Sequence, residues 1–500
     1  MNSVLSKGSW VHFVAIGGTG MGALAGLLQD FGCTVTGVDG PLYPPMSLFL
    51  EQRKIPLSQA YSADNLKGAS WGLAKQYPDL VIVGNAISRG NVEAKELEDL
   101  LARGISKRMS FAQALAEFGI ADRRSFVVAG THGKTTTTSL LAWSLEVAGR
   151  SPGFFIGGIA KNFEQGCRVG QGSVFVSEGD EYDTAYWDKE SKFLHYRPSW
   201  VLCTGIEFDH ADIFSSVEAI EASFEKLVSK TREGWLLIDS LSAPRPESVE
   251  KIAMALQGPK LKLLRYGFDP GSDYSILESA PSKIPGGNSL GTKIRLRTPE
   301  LGIVELLSPM CGRHNALNVA GVVGVLLSSG EIKSLAPLQD FLLKFLGIKR
   351  RQEEVVRAPG LIVIDDFAHH PTAIRETLAA ICERYPGFKI AAFFESRSAT
   401  SARKILAQEF SESFDLASAV FLIPPTKTNI PEAEKLDVKA LVEAISRRKA
   451  NENKFITLEA NPALLAEIFK KWRSSLPAGE TTVALVMSNG PFGGIHFMLA

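Results

Sequence analysis

Ser125-Phe126-Val127-Val128-Ala129-Gly130-Thr131-His132-Gly133-Lys134-Thr135-Thr136 decides how this 500-residue chain is read. Residues 125–129 are rich in β-formers and run straight into a glycine-rich loop. The residues from 136 to 148 then read as a helix that Gly149 terminates. A strand that stops in such a loop and enters a helix creates an anion site. The N–H groups of the loop and of the helix start have no intrahelical partner and point outward. Lys134 adds a full positive charge for β- and γ-phosphate oxygens, and the Thr135 hydroxyl is placed for Mg²⁺. Gly130, Thr131, His132, Gly133, Lys134, Thr135 and Thr136 are therefore read as a nucleoside-triphosphate loop. It is a shortened form: the common G-x-x-x-x-G-K-[ST] pattern has glycine where this chain has Val128.

Lys plus Arg and Asp plus Glu each total 54, so the formal net charge is zero, with 45% hydrophobic and 22% charged residues. That balance describes a globular chain. It lacks the positive surplus that broad nucleic-acid or membrane-surface binding needs. The five cysteines, at 33, 167, 203, 311 and 382, are scattered without metal-ligand spacing, which points to a reducing compartment. With no secretory-type N-terminus and no apolar run of about 18 residues, the expectation is a cytoplasmic protein.

Five hundred residues exceed one ordinary core. Three regions each open on a strand pattern and then alternate strands with helices, which is the signature of parallel sheets covered on both faces. The expected fold class is α/β with three domains. These are a Rossmann-like domain over 1–108, a central P-loop ATPase-like domain with a mostly parallel sheet over 109–346, and a second Rossmann-like domain over 347–500. A more polar stretch, 260–308, is expected to pair antiparallel.

Ligands of α/β sheets bind beyond the carboxyl ends of the strands. Glu178-Gly179-Asp180-Glu181-Tyr182-Asp183 follows the strand expected at 173–177, and Glu207-Phe208-Asp209-His210-Ala211-Asp212 follows the one expected at 200–204. Either acidic run alone is more often a solvated turn. Two in succession after a phosphate loop single out Thr135, Glu178 and His210 as a Mg²⁺ shell. Arg313-His314-Asn315-Ala316-Leu317-Asn318 opens a helix on which His314 and Asn318 share a face. An asparagine amide offers the donor and acceptor that an adenine edge needs, although Asn315 suits helix capping equally. In the third region, Asp365-Asp366-Phe367-Ala368-His369-His370-Pro371-Thr372, Glu395-Ser396-Arg397-Ser398 and Ser488-Asn489-Gly490 end strands where a second substrate could be held. Each alone is also ordinary turn chemistry. Gly17-Gly18-Thr19-Gly20-Met21-Gly22-Ala23, with Asp39 about 20 residues on, can seat a pyrophosphate on a helix start. NAD, FAD and UDP-sugars all carry that group, so dehydrogenase and UDP-sugar readings both stay open here.

In this order the motifs resemble the Mur ligases, which join an amino acid or peptide to a UDP-muramyl substrate. Segments 17–22, 130–136, 178–183, 207–212, 313–318 and 365–372 carry the resemblance over nearly the whole chain. It implies that Lys134, Glu178 and His210 are catalytic, and that His314, Asn315, Asn318, Arg351 and Asp366 join the ATP site. It further implies that Gly18, Thr19, Gly20, Met21, Gly22, Asp39, Asn85 and Ala86 hold UDP-N-acetylmuramate, and that His369, His370, Arg397, Ser488 and Asn489 hold a peptide. ATP and Mg²⁺ are the implied cofactors, and the partners are small molecules, with neither nucleic acid nor membrane. The implied reaction phosphorylates the lactyl carboxylate, and an α-amino group then attacks the acyl phosphate. Tyr43-Pro44-Pro45-Met46-Ser47, Gly84-Asn85-Ala86, the segment 191–196, Asp366-Phe367-Ala368-His369-His370 and the segment 487–496 favour one branch of the family. That branch attaches an L-alanyl-γ-D-glutamyl-meso-diaminopimelate tripeptide in peptidoglycan recycling. The alternative is the L-alanine-adding branch of de novo synthesis. Glu225, flanked by Phe224 and Lys226, stands where some members carry a carbamylated lysine, and the muramate-accepting branches share that departure. An Asp-Asn-Pro-Arg motif that reads diaminopimelate in another branch is also missing.

Overall fold

Apolar runs of four to six residues that stop at Gly, Asp, Glu or Ser make strands buried on both faces, and among the described residues they build three large sheets, beside a two-stranded ribbon of Asp183–Ala185 and Asp188–Ser191. The computed structural model describes residues 5–42, 46–257, 260–286, 289–425 and 430–500. Tyr43-Pro44-Pro45, part of one motif that favours the tripeptide branch, lies outside the described residues.

The first sheet has five parallel strands in the spatial order Leu57–Ser58, Thr34–Val38, Trp10–Val14, Leu80–Val83, Lys107–Ser110. Its last strand crosses the boundary expected at 108. Residues 107–110 read Lys-Arg-Met-Ser, so apolar patterning alone does not announce them as a strand.

Ten strands form the central sheet. Their order is Gly302–Ser308, Leu290–Thr298, Tyr274–Lys283, Lys262–Gly267, Gly234–Ile238, Trp200–Cys203, Arg124–Ala129, Val174–Gly179, Gly153–Ala160, Gln165–Arg168. Pairing is parallel from Tyr274–Lys283 across to Gly153–Ala160 and antiparallel at both ends. The polar stretch therefore pairs antiparallel only from residue 274 onward, because Lys262–Gly267 joins the parallel part. Arg124–Ala129 lies between Trp200–Cys203 and Val174–Gly179 in one direction. The phosphate loop and both acidic runs thus leave the sheet along one edge.

The third sheet runs Glu353–Ala358, Leu361–Asp366, Thr482–Met487, Lys389–Glu395, Ala419–Ile423, Phe455–Leu458, all parallel except the first pair. Alternation along its strands is strict. Ile362, Ile364, Ala392 and Phe394 enter one buried cluster, and Leu361, Val363, Ala391 and Phe393 enter the other. A single continuous core joins the first two sheets, with Phe111 against Phe155 at 4.9 Å between ring centroids. Among the described residues no helix is long and apolar enough to cross a membrane.

Candidate active site

Gly133 sits in the left-handed region at φ 75° and starts the helix Lys134–Val147, which has no side-chain cap. That leaves the first-turn N–H groups free for an anion. Gly130 (φ 137°) is required by close approach, since a Cβ there would lie 2.3 Å from Thr204 Oγ1. The loop is stitched to the neighbouring strand exit. Thr131 Oγ1 accepts from Glu207 N (2.8 Å) and Thr131 donates to the Glu207 carbonyl (3.0 Å), while Thr204 donates to the His132 carbonyl at 2.6 Å.

Lys134 Nζ donates to the Gly130 carbonyl at 2.5 Å and to Glu181 Oε1 at 2.9 Å. Burial alone would lower the Lys134 pKa, but Glu181, Glu178 and Asp180 outweigh it and hold the ammonium above its ordinary value. Glu178 accepts from Thr135 Oγ1 (3.0 Å) and Gly157 N (2.7 Å), and burial still pushes its carboxyl up against those bonds. Arg351 donates to Thr135 Oγ1 at 3.3 Å. These groups line one cavity of about 670 Å³ between the central and third sheets, which His210, His314, Asn315, Asn318, Asp366, His369 and His370 also line. His210 has φ 59° and sets its ring on Tyr182, with centroids 4.4 Å apart. An uncapped helix start, a charged lysine and an adjoining hydroxyl–carboxylate pair fit a triphosphate with a hard divalent cation. Glu181 Oε2, buried with no hydrogen-bond partner among the described residues, marks the pocket as built for more than they supply.

The two asparagines brace the loop. Asn318 Oδ1 accepts from Thr137 at 3.0 Å, Asn318 Nδ2 donates to Asn315 Oδ1 at 3.1 Å, and Asn315 Nδ2 donates to the Cys311 carbonyl at 2.7 Å. Gln352 Nε2 donates to His314 Nε2 at 3.2 Å. Asp366 accepts from the backbone N–H groups of Gln352 and Ala368, so it shapes the third-sheet lip.

The residues expected to hold peptide separate into two groups. His369 and His370 face the cavity, whereas Arg397, Ser488 and Asn489 sit at the edge of the third sheet outside its lining. Ser488 donates to Glu395 Oε2 at 2.6 Å, Arg397 packs on Gly490, and Asn489 Oδ1 is buried without a partner among the described residues. Glu225 and Lys226 are 40% and 60% exposed on the helix Val217–Lys230, away from this chemistry.

A second cleft, of about 490 Å³, is lined by Gly18, Met21, Asp39, Tyr61, Asn85 and Ala86 among others. Asp39 Oδ2 accepts from Gly17 N at 2.7 Å and Oδ1 from Tyr61 at 3.2 Å, so it ties the glycine turn down. Gly20 and Gly22 face away from the cleft: a Cβ on either would approach Phe111 and Phe155 at 3.0 Å or Met46 at 2.6 Å.

Sequence reasoning missed the pairings of Glu181, Glu207 and Thr372. His132 Nε2 lies 2.7 Å from Glu207 Oε2, Thr372 donates to Glu207 Oε1 at 3.0 Å, and His370 Nδ1 is 3.7 Å from Glu207 Oε2. Burial, then the charge of His132, pushes the His370 pKa down to about 4, against the pull of Glu207 and Asp209. Glu207 is held at about 2: burial raises it, but His132 outweighs that. Both folded-state values are depressed, so the unfolded chain binds more protons and stability falls as pH falls. The His370 share is lost between its ordinary value of about 6.5 and about 4, and the Glu207 share below that. Thermal midpoints from pH 7 to 4 should drop, with about 3 kcal/mol attributable to His370. His370→Asn, which keeps a helix-capping side chain, should flatten that slope. An equal slope in variant and wild type contradicts the assignment.

Three family models cover this architecture: the Mur ligase family catalytic domain over 10–121, the Mur ligase middle domain over 128–326, and the Mur ligase glutamate ligase domain over 350–487. The chain belongs to the Mur ligase family. Among its Mur relatives, the UDP-N-acetylmuramate–L-alanyl-γ-D-glutamyl-meso-2,6-diaminoheptandioate ligase of Escherichia coli K12 is 35% identical, over 97% of this chain and 96% of that protein. The UDP-N-acetylmuramate–L-alanine ligase of Syntrophomonas wolfei is 31% identical over 82% of this chain and 80% of that protein. The crystal structure of a murein peptide ligase from Psychrobacter arcticus 273-4 superposes with a TM-score of 0.64, at 31% identity and 98% coverage of each chain.

Proposed function

We propose that this Mur ligase joins the L-alanyl-γ-D-glutamyl-meso-diaminopimelate tripeptide to UDP-N-acetylmuramate, with ATP as phosphoryl donor. One observation carries the choice of tripeptide over L-alanine: the likeness to a tripeptide ligase spans 97% of the chain, against 82% for the L-alanine ligase. The dehydrogenase reading of the first glycine turn has no use for the Lys134–Glu181 and Thr135–Glu178 pairs.

The uridine nucleotide is assigned to the Asp39–Asn85 cleft of the first domain, ATP to the loop of the second, and the peptide to the lip of the third. The lactyl carboxylate and the γ-phosphate are both anions, so charge must be neutralised before the atoms meet. Lys134 and the free N–H groups of the helix start do this at the phosphates. Mg²⁺ on Thr135 and Glu178, with His210, would supply further neutralisation when bound. The carboxylate oxygen takes the γ-phosphoryl group and ADP leaves. The α-amino nitrogen then attacks the acyl carbon, and phosphate departs with the former carboxylate oxygen. At a pKa of about 4, His370 is a weak base for the amine proton. His369 is the alternative on geometry: its Nδ1–H is held by the Phe367 carbonyl at 2.9 Å, which leaves Nε2 to accept a proton. Hydrogen bonds from Thr372 to Glu207 and from Ala211 N to Thr400 Oγ1 (3.1 Å) hold the third domain over the second and keep water from the acyl phosphate.

Substrate labelled with ¹⁸O in the lactyl carboxylate tests the chemistry. One labelled oxygen should appear in the released phosphate per amide formed. Unlabelled phosphate would rule out the acyl phosphate.

A further inference from the structure

His132, Glu207 and His370 come from three separate elements: the phosphate loop, the exit of Trp200–Cys203, and the residue capping the helix Pro371–Arg384. One ligand atom from each lies within 4.8 Å of the other two. His132 Nε2 and Glu207 Oε2 are 2.7 Å apart, and His370 Nδ1 and Glu207 Oε2 are 3.7 Å apart. Donors around a tetrahedral zinc-class ion are separated by about 3.3 Å, a spacing these two distances straddle.

Three features point to a cation. Thr372 N donates to His370 Nδ1 at 3.4 Å, a long bond, so this nitrogen carries no proton, and Glu207 Oε2 stands 3.7 Å from it. Two acceptors facing each other at that range attract only with a positive charge between them. His370 is 3% exposed, and its buried Nε2 has no hydrogen-bond partner among the described residues, which leave the ring unsatisfied. Finally, the carboxylate is already oriented, because Thr372 donates to the other oxygen, Glu207 Oε1, at 3.0 Å, the kind of outer support that metal ligands carry.

We propose that His132, Glu207 and His370 form a site for a divalent transition-metal cation of the zinc class, distinct from the Mg²⁺ of the phosphate loop. Two imidazoles and one carboxylate suit such an ion, whereas Mg²⁺ prefers oxygen ligands and tolerates a single imidazole beside them, as at the phosphate loop. A fourth position is left for water. Because its ligands belong to the loop and to the third domain, the bound ion clamps the two together. The site does not depend on which amine the enzyme ligates.

The test uses the metal-free, tag-free full chain dialysed against ZnCl₂ in excess Mg²⁺. Stoichiometry is read by elemental analysis and the thermal midpoint is recorded with and without zinc. Wild type should hold one more zinc per chain than His370→Asn or Glu207→Gln, and zinc should raise its midpoint by more than it raises theirs. Should a variant fail to fold, the zinc X-ray absorption spectrum of wild type decides. A nitrogen/oxygen shell with two imidazoles and no sulfur supports the site. No zinc bound in excess Mg²⁺, equal stoichiometry in wild type and folded variants, or a sulfur shell from the free cysteines would each overturn it.

Discussion

Lys134→Ala should lower ATP-dependent turnover by about 10²–10³-fold or more while leaving UDP-N-acetylmuramate binding nearly unchanged. Removing one preorganised charge-stabilising donor typically costs that much in rate, and Lys134 combines that role with anchoring the loop through the Gly130 carbonyl. The single substitution has a second effect. It strips the counter-ion from Glu181, whose side chain is 2% exposed, and leaving one member of such a pair behind costs about 3–5 kcal/mol. The double variant Lys134→Ala/Glu181→Gln should therefore recover most of the thermal midpoint but none of the turnover. Turnover near wild type in a coupled ADP assay, in either variant, would contradict the assigned role.

Glu178→Gln should be nearly as damaging to rate and much milder to the fold. The amide oxygen still accepts from Gly157 N, and its NH2, placed where Oε1 stood, can donate to a rotated Thr135 hydroxyl, so the local geometry largely survives. The negative charge does not, and neither does the strongest oxygen donor beside the Thr135 hydroxyl. A loss of about 10²-fold or more in kcat is expected, with the Mg²⁺ concentration for half-maximal rate rising by at least about tenfold. An unchanged Mg²⁺ dependence would mean that Glu178 supports the loop without holding metal.

Much of this candidate site is legible in the sequence, for identifiable reasons. A buried strand, a glycine that must adopt positive φ and an adjoining lysine are local features, so 125–136 can be read directly. The same holds for the acidic runs, since parallel strands bring their carboxyl ends to one edge. Edge strands are harder. Glu353–Ala358 and Phe455–Leu458 are half-exposed and carry a weak apolar signal, and the first is interrupted by a register shift between Glu354 and Val356. Pairings across the sequence are not legible at all. Glu207 meets His132 from 75 residues away and Thr372 from 165, and neither periodicity nor spacing encodes that. Asp39 shows the opposite limit. Its position at a strand end fits both a ligand contact and a turn brace, and in the structure it braces Gly17.

The central claim is that this Mur ligase takes a preformed tripeptide. It is tested most directly by offering UDP-N-acetylmuramate and ATP with equimolar L-alanine and L-alanyl-γ-D-glutamyl-meso-diaminopimelate in one reaction, and weighing the products by mass spectrometry. The tripeptide adduct should dominate, with ADP formed in equal amount. A predominant L-alanine adduct would contradict the account.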